Sequence, residues 1–257
     1  MSEALLEAEA LEVRFGAVRA VDGASLRVAT GTITGLIGPN GAGKSTLFNA
    51  IVGEVAPAAG TIRFRGARID GLSPDAVFSR GLARTFQIPR PFAEMTVLEN
   101  LMLAAPDQPG ERFWAPLLAP GKVRARDAEI HERAREILDF ATLAPLAHEA
   151  AGRLSGGQQK LLELARVLMA DPALILLDEP AAGVAPTLTR TLIEKIEALN
   201  ARGVSFLIIE HDMDLIMRHC DPVVAMSAGR IIFEGSAAEA MKDARLLDAY
   251  LGDAADG

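Results

Sequence analysis

The chain has 257 residues, half of them hydrophobic and 23% charged. That balance excludes disorder and collagen-like repeats, and the length allows one large domain or two small ones with a core that needs no disulfide or metal staples. With 26 basic against 34 acidic residues the net charge is −8, which argues against a nucleic-acid coat protein and against loose attachment to anionic lipid.

Cys220 is the single cysteine and cannot form an internal bridge, as suits a reducing cytosol. A bilayer span takes roughly 20 consecutive apolar residues. Aliphatic stretches such as Ala173 to Leu177 are far shorter. The start, MSEALLEAEA, is acidic and lacks the basic-then-apolar pattern of a secretory signal. These features predict a soluble, cytosolic chain, with any membrane span supplied by another chain.

Residues 4–13 and 24–29 read as short strands, with Val21-Asp22-Gly23 as the turn between them. Thr32 to Ile37 is a compact apolar strand, closed by a glycine-rich loop that opens a helix from about Lys44 to Val52. A further strand, Thr61 to Phe64, lies between Gly60 and Gly66. From Met95 to Arg166 the pattern is mainly helical. Residues 105–121, with four prolines, two glycines and Trp114, read as an irregular connection within it. After that connection Val123, Ile130, Ala134, Ile137 and Ala141 fall on one helical face, opposite a charged one.

Leu174 to Leu177 and Val204 to Ile209 are continuous aliphatic runs, as expected of parallel strands covered on both faces. The helical period of Leu188 to Leu199 between them makes a right-handed crossover unit. The predicted organisation is a single domain. Its α/β core comprises residues 1–87 and 166–257, interrupted by a helical subdomain at 88–165.

Gly38-Pro39-Asn40-Gly41-Ala42-Gly43-Lys44-Ser45 fits G-x-x-x-x-G-K-[ST], and it follows a strand and opens a helix. Phosphate oxygens need backbone N–H groups converging at close range, which glycines permit, and a helix N-terminus adds favourable partial charge. Lys44 is expected to reach the β and γ phosphates of a nucleoside triphosphate. The Ser45 hydroxyl is expected to join a Mg²⁺ shell, and Thr46 to donate to the α phosphate. Asp178-Glu179 ends the first buried strand, at the edge where open α/β sheets bind ligands. Asp178 is expected to hold Mg²⁺ through water, and Glu179 to accept or orient a proton of the attacking water.

Leu154-Ser155-Gly156-Gly157-Gln158-Gln159 precedes a helix at about Gln158 to Ala170, placing Ser155 and two glycines at another positive helix end. With this motif the chain resembles the ATP-binding subunit of an ABC transporter, whose signature is LSGGQ. The resemblance covers about residues 5–252. It implies a P-loop NTPase (RecA-like) core with an N-terminal antiparallel β part and an inserted helical subdomain, binding ATP and Mg²⁺. It also implies an adenine-stacking role for Phe15, a Mg²⁺-sensing role for Gln87 in Arg84-Thr85-Phe86-Gln87, and a γ-phosphate switch role for His211. Two such subunits are expected to face each other, so that nucleotide on Lys44 of one is covered by Ser155, Gly156, Gly157 and Gln158 of the other.

Gly81 to Gln87, Met95-Thr96-Val97-Leu98-Glu99-Asn100, the irregular insertion, Glu210-His211-Asp212-Met213 and the tail Ala249-Tyr250-Leu251-Gly252 resemble the ATPases of branched-chain amino-acid importers. Two positions depart from the pattern. Ala185 stands where many family members carry aspartate or asparagine, and Gly156 where that importer group often has tyrosine. The implied setting is the cytoplasmic side of the inner membrane, with permease subunits, an identical or related second ATPase subunit and, indirectly, a solute-binding protein; no nucleic acid is expected. A lipopolysaccharide or lipid exporter ATPase is the alternative on the same engine, and a non-transport ABC ATPase a third reading.

Overall fold

The computed structural model describes residues 4–85, 91–106, 108, 120–243 and 246. The chain divides into two compact units. One comprises residues 1–87, 172–182 and 196–257, the other 88–171 and 183–195.

In the first unit, β1 (Ala4–Phe15) and β2 (Val18–Ala29) form a long antiparallel hairpin. The hairpin turns at Gly16-Ala17. Val21-Asp22-Gly23 lies inside β2, where the sequence suggested a turn. The reason is local: Gly23 takes φ +76° where the register shifts against Leu11 and Glu12, so it serves as a bulge in a continuing strand. β4 (Ala59–Phe64) pairs with β1, and the two-residue β5 (Ala67–Arg68) closes a sheet of order β2-β1-β4-β5.

The second sheet has the order β10-β9-β3-β8-β7-β6. Its members are β3 (Ile33–Ile37), β6 (Leu82–Arg84), β7 (Leu174–Asp178), β8 (Ser205–Ile209), β9 (Val223–Ser227) and β10 (Arg230–Gly235). All neighbours run parallel except the β9–β10 hairpin. Every residue of β3, β7 and β8 is buried, which explains their unbroken apolar runs. The helix α1 (Lys44–Ile51) buries Leu47, Phe48 and Ile51 in a core they share with Leu6, Leu11 and Leu26 of the hairpin and Leu36, Leu176 and Leu207 of the parallel sheet. That burial fixes the helix that starts at the glycine loop. Among the described residues the unit also holds the short helices α2 (Pro74–Phe78), α7 (Met213–His219) and α8 (Ala237–Ala240).

The second unit holds α3 (Val97–Leu103), α4 (Pro120–Phe140) and α5 (Gly156–Leu168). Ile130, Ala134 and Ile137 of α4, followed by Ala141, are buried, as the periodicity predicts. The run Met95 to Asn100 has a local reason for its composition. Thr96 and Glu99 form a reciprocal capping box at the start of α3. The fully buried Asn100 accepts the Phe92 N–H at 2.8 Å and donates to the Phe92 and Thr96 carbonyls at 3.1 and 2.9 Å. One amide thereby pins the approach to the helix.

α6 (Pro186–Asn200) is the crossover helix between β7 and β8, and its first half belongs to the second unit. The sequence pattern places this segment in the core and ends the helical part at residue 165. The boundary differs because Leu188 and Val184 press on Gly157 at the start of α5, and because α5 itself runs on to Leu168.

Candidate nucleotide site

The glycine loop joins β3 to α1. Gly43 is the N-cap of α1 at φ +101°, a conformation side chains rarely adopt. A Cβ there would lie 2.2 Å from the Ala20 carbonyl oxygen. Glycine is required on both counts. No side chain caps α1, so its first N–H groups remain directed at whatever the loop encloses. Lys44 is buried, and its Nζ donates to the carbonyls of Gly38 at 2.7 Å and Pro39 at 2.9 Å, closing the loop on itself.

An open cleft of about 210 Å³ is lined by Ala20, Asn40, Gly41, Ala42, Gly43, Lys44, Ser45, Thr46, Glu179 and His211. It brings together the loop, the acid after β7 and the histidine after β8. Nε2 of His211 lies 2.7 Å from Oε1 of Glu179; with the carboxylate accepting, the imidazole proton sits on Nε2. Glu179 takes φ +48°, a left-handed conformation that costs a non-glycine residue about 1–2 kcal/mol. Its backbone is held by the Glu179 N–H donating to the Ile209 carbonyl at 2.9 Å.

Asp178 is buried at the end of β7 and accepts from Nη2 of Arg84 at 2.8 Å. It does not line the cleft. Among the described residues no group of three or more His, Cys, Asp or Glu side chains is placed to hold a metal ion. The Ser45 hydroxyl and the Asp178 carboxylate are hard oxygen donors, few in number. They suit Mg²⁺, which keeps several waters and takes further oxygens from substrate phosphates.

Phe15, the last residue of β1, pairs with Val18 across the hairpin. Both are exposed, at 53% and 65%, and neither lines the cleft. Gln87, Trp114 and the tail Ala249 to Gly252 lie outside the described residues.

In the second unit Ser155 caps α5. Its hydroxyl accepts the Gln158 N–H at 3.4 Å while Gln158 Oε1 accepts the Ser155 N–H at 2.9 Å. The two glycines are thus the first helical residues, two positions earlier than the sequence suggested. The capping box accounts for the shift, since it needs Gln158 at the third helical position. Gly156 is exposed with open space at its Cβ position, whereas a Cβ on Gly157 would meet Leu188 Cδ1 at 2.4 Å. Ala185 is exposed, and its carbonyl accepts from the N–H groups of Leu188 and Thr189, so the start of α6 is closed by backbone without an acidic cap.

Two residues of this region had no role in the sequence reading. Arg84 opens Arg84-Thr85-Phe86-Gln87, but its partner is 94 positions away. Glu210 stands beside His211 in Glu210-His211-Asp212-Met213, but the N–H it accepts from, that of Ala181, is 29 positions away.

A phosphate loop at the end of a central parallel strand, with a histidine from the end of the adjacent β8 and an acid from the end of β7 beyond it converging on it, defines a P-loop nucleoside-triphosphatase. Residues 21–182 match the ABC transporter family, and the chain belongs to that family as an ATP-binding, ATP-hydrolysing cassette. It is 41% identical over 255 residues to the probable branched-chain amino acid transport ATP-binding protein LivG of Methanocaldococcus jannaschii, covering 97% of this chain and 98% of that one. Identity to the high-affinity branched-chain amino acid transport ATP-binding protein BraF of Pseudomonas aeruginosa is 39%, covering 99% and 100%. Among solved structures, a nucleotide-free ATP-binding cassette from an ABC transporter superposes with TM-score 0.83 at 37% identity, covering 96% and 99%. The ADP conformation of such a cassette gives TM-score 0.83 at 38% identity, covering 98% and 100%.

Proposed function

We propose that this cassette drives import of branched-chain amino acids, or a closely related small solute, by hydrolysing ATP in a dimer docked on permease subunits at the cytoplasmic face of a membrane. The dimer partner is a second copy or a related cassette, and a solute-binding protein delivers the solute to the permeases. No helix among the described residues is long and apolar enough to cross a membrane, which agrees with peripheral attachment to chains that do. The names of the relatives support the solute class.

In this reading the loop from Gly38 to Thr46 wraps the phosphates, Lys44 moves from the loop carbonyls to the β and γ phosphates, and Phe15 stacks on adenine. Ser45, Asp178 and Gln87 would hold Mg²⁺, which would supply neutralisation of phosphate charge. Glu179 takes or orients the proton of the attacking water, and His211 fixes that carboxylate and contacts the γ phosphate. Ser155, Gly156, Gly157 and Gln158 of the opposing subunit close the site, adding donors where water has been excluded and fixed dipoles act most strongly.

The observation that carries this reading is the 2.7 Å contact of Glu179 with His211 inside the cleft that the phosphate loop lines. Reconstitution of the cassette with its permeases and binding protein tests it. Leucine, isoleucine or valine uptake that requires ATP in the vesicle compartment holding the cassette is expected. A complex that hydrolyses ATP without moving any of them overturns the solute assignment.

A further inference from the structure

We propose that Glu210 is a positioning residue for ATP hydrolysis: its carboxylate ties the turn after Glu179 to the strand end that carries His211, and so holds that pair in place. This rests on the reading of Glu179 and His211 as the hydrolytic pair.

The geometry begins with strand register. β7 and β8 are parallel neighbours with Asp178 opposite Ile209, so the chain leaves the sheet at Glu179 and at Glu210 side by side. Both segments turn sharply there. Glu179 is in the left-handed region, and its carbonyl accepts the Ala182 N–H at 3.2 Å. A strained residue persists only where its surroundings over-determine it. Glu210 supplies that constraint. It is 4% exposed; its Oε1 accepts the Ala181 N–H at 2.7 Å and its Oε2 accepts the His211 N–H at 3.2 Å. One carboxylate therefore fixes the backbone on the far side of Glu179 and the backbone of His211 itself. Both N–H groups would otherwise need another acceptor in a part-buried place.

The requirement for two acceptor oxygens is specific. Glutamine has the same shape but turns an NH₂ toward one of the two N–H donors, so it can satisfy only one of them. The ionisable groups around this carboxylate are Glu179 and His211 above it and the buried thiol of Cys220. The Ala181 and His211 N–H groups lead the influences that favour its charge, with the His211 ring adding to them against burial and Glu179. The Cys220 thiol is pushed up to about 12, first by burial and then by the charge of Glu210, and stays protonated beside it.

The test compares Glu210→Gln with Glu179→Gln in the cassette assembled with its permeases, measuring kcat, KM for ATP, affinity for a fluorescent ATP analogue and melting temperature. Loss of one hydrogen bond to a charged group predicts that Glu210→Gln lowers kcat about 10- to 100-fold. KM and analogue affinity are expected to stay at the parental values, and the melting temperature to fall by no more than the loss of one hydrogen bond accounts for. Parental kcat in Glu210→Gln beside an inactive Glu179→Gln overturns the role of Glu210 alone. Parental kcat in Glu179→Gln overturns the reading of the site beneath it. A Glu210→Gln chain that melts early and binds nucleotide poorly shows a structural role and also overturns the proposal. Should that variant not fold, hydrogen exchange in the unaltered chain decides: a slowly exchanging Ala181 amide is expected, and one exchanging at the rate of an open loop overturns the tie.

Discussion

Arg84 and Asp178 form an ion pair at 2.8 Å between the ends of two neighbouring strands, with side chains only 11% and 4% exposed. The guanidinium also donates to Asn49 of α1 and lies 5.8 Å over the ring of Phe48. It therefore joins the helix that begins at the phosphate loop to the strand that carries the acids. Breaking such a pair from one side strands a buried charge. Arg84→Met is expected to lose about 3–5 kcal/mol of stability, read from denaturant midpoints. The double variant Arg84→Met with Asp178→Leu should recover part of it while remaining inactive. A single variant as stable as the parent would show that the pair contributes nothing.

Glu179→Gln keeps the shape of the side chain but removes its basicity. ATP turnover should fall about 10²- to 10⁴-fold with nucleotide binding retained. Single-turnover hydrolysis measures this, and a normal rate would remove Glu179 from the mechanism.

Lys44→Ala should act on binding itself. The lysine closes the loop through the Gly38 and Pro39 carbonyls and lines the cleft. Nucleotide affinity is expected to drop about 10- to 100-fold, measured by equilibrium titration. Parental affinity would mean that the loop does not hold phosphate.

Ser155 has two separable roles. As the cap of α5, its loss in Ser155→Ala should cost about 0.5–2 kcal/mol of stability, and turnover should fall with it. Aspartate caps equally well but repels phosphate. Ser155→Asp should therefore melt near the parental temperature and still fail to turn over. If it turns over normally, Ser155 serves the helix only.

Two buried or bonded carboxylates should give opposite pH trends. Burial pushes Glu210 up, and the charge of Glu179 adds to this, against the pull of the Ala181 and His211 N–H groups. Its contribution to stability is full below the usual carboxylate range and is lost as pH rises through its folded value. Burial also opposes ionisation of Asp70, but the Ile62 N–H and Arg68 outweigh it and hold the group low. Its contribution is present above the usual range and is lost as pH falls through its folded value. Chemical unfolding across pH should therefore show Glu210→Gln approaching the parent toward neutrality and Asp70→Asn approaching it in acid. Parallel trends would contradict one assignment.

Much of the site can be read from one dimension because its parts are local. The loop from Gly38 to Ser45 and the run from Ser155 to Gln158 each complete their geometry within eight residues, through backbone conformation and a capping box. The strands β3, β7 and β8 are legible for a related reason: burial on both faces leaves an unbroken apolar signature. Short elements such as β6 carry too few residues to show a period, and Gly23 looks the same whether it turns a chain or bulges a strand.

Sequence alone determined the class of chemistry and the residue types that perform it, since glycine, lysine, serine and acid at fixed spacing follow from what phosphate and water require. Tertiary structure decided which distant groups meet. Strand order puts Asp178 opposite Ile209, Arg84 against Asp178 and Glu210 against the Ala181 N–H. Those partners lie tens of positions apart, and side-chain pairing at such separation is set by which strands pack together, a property that no local pattern encodes.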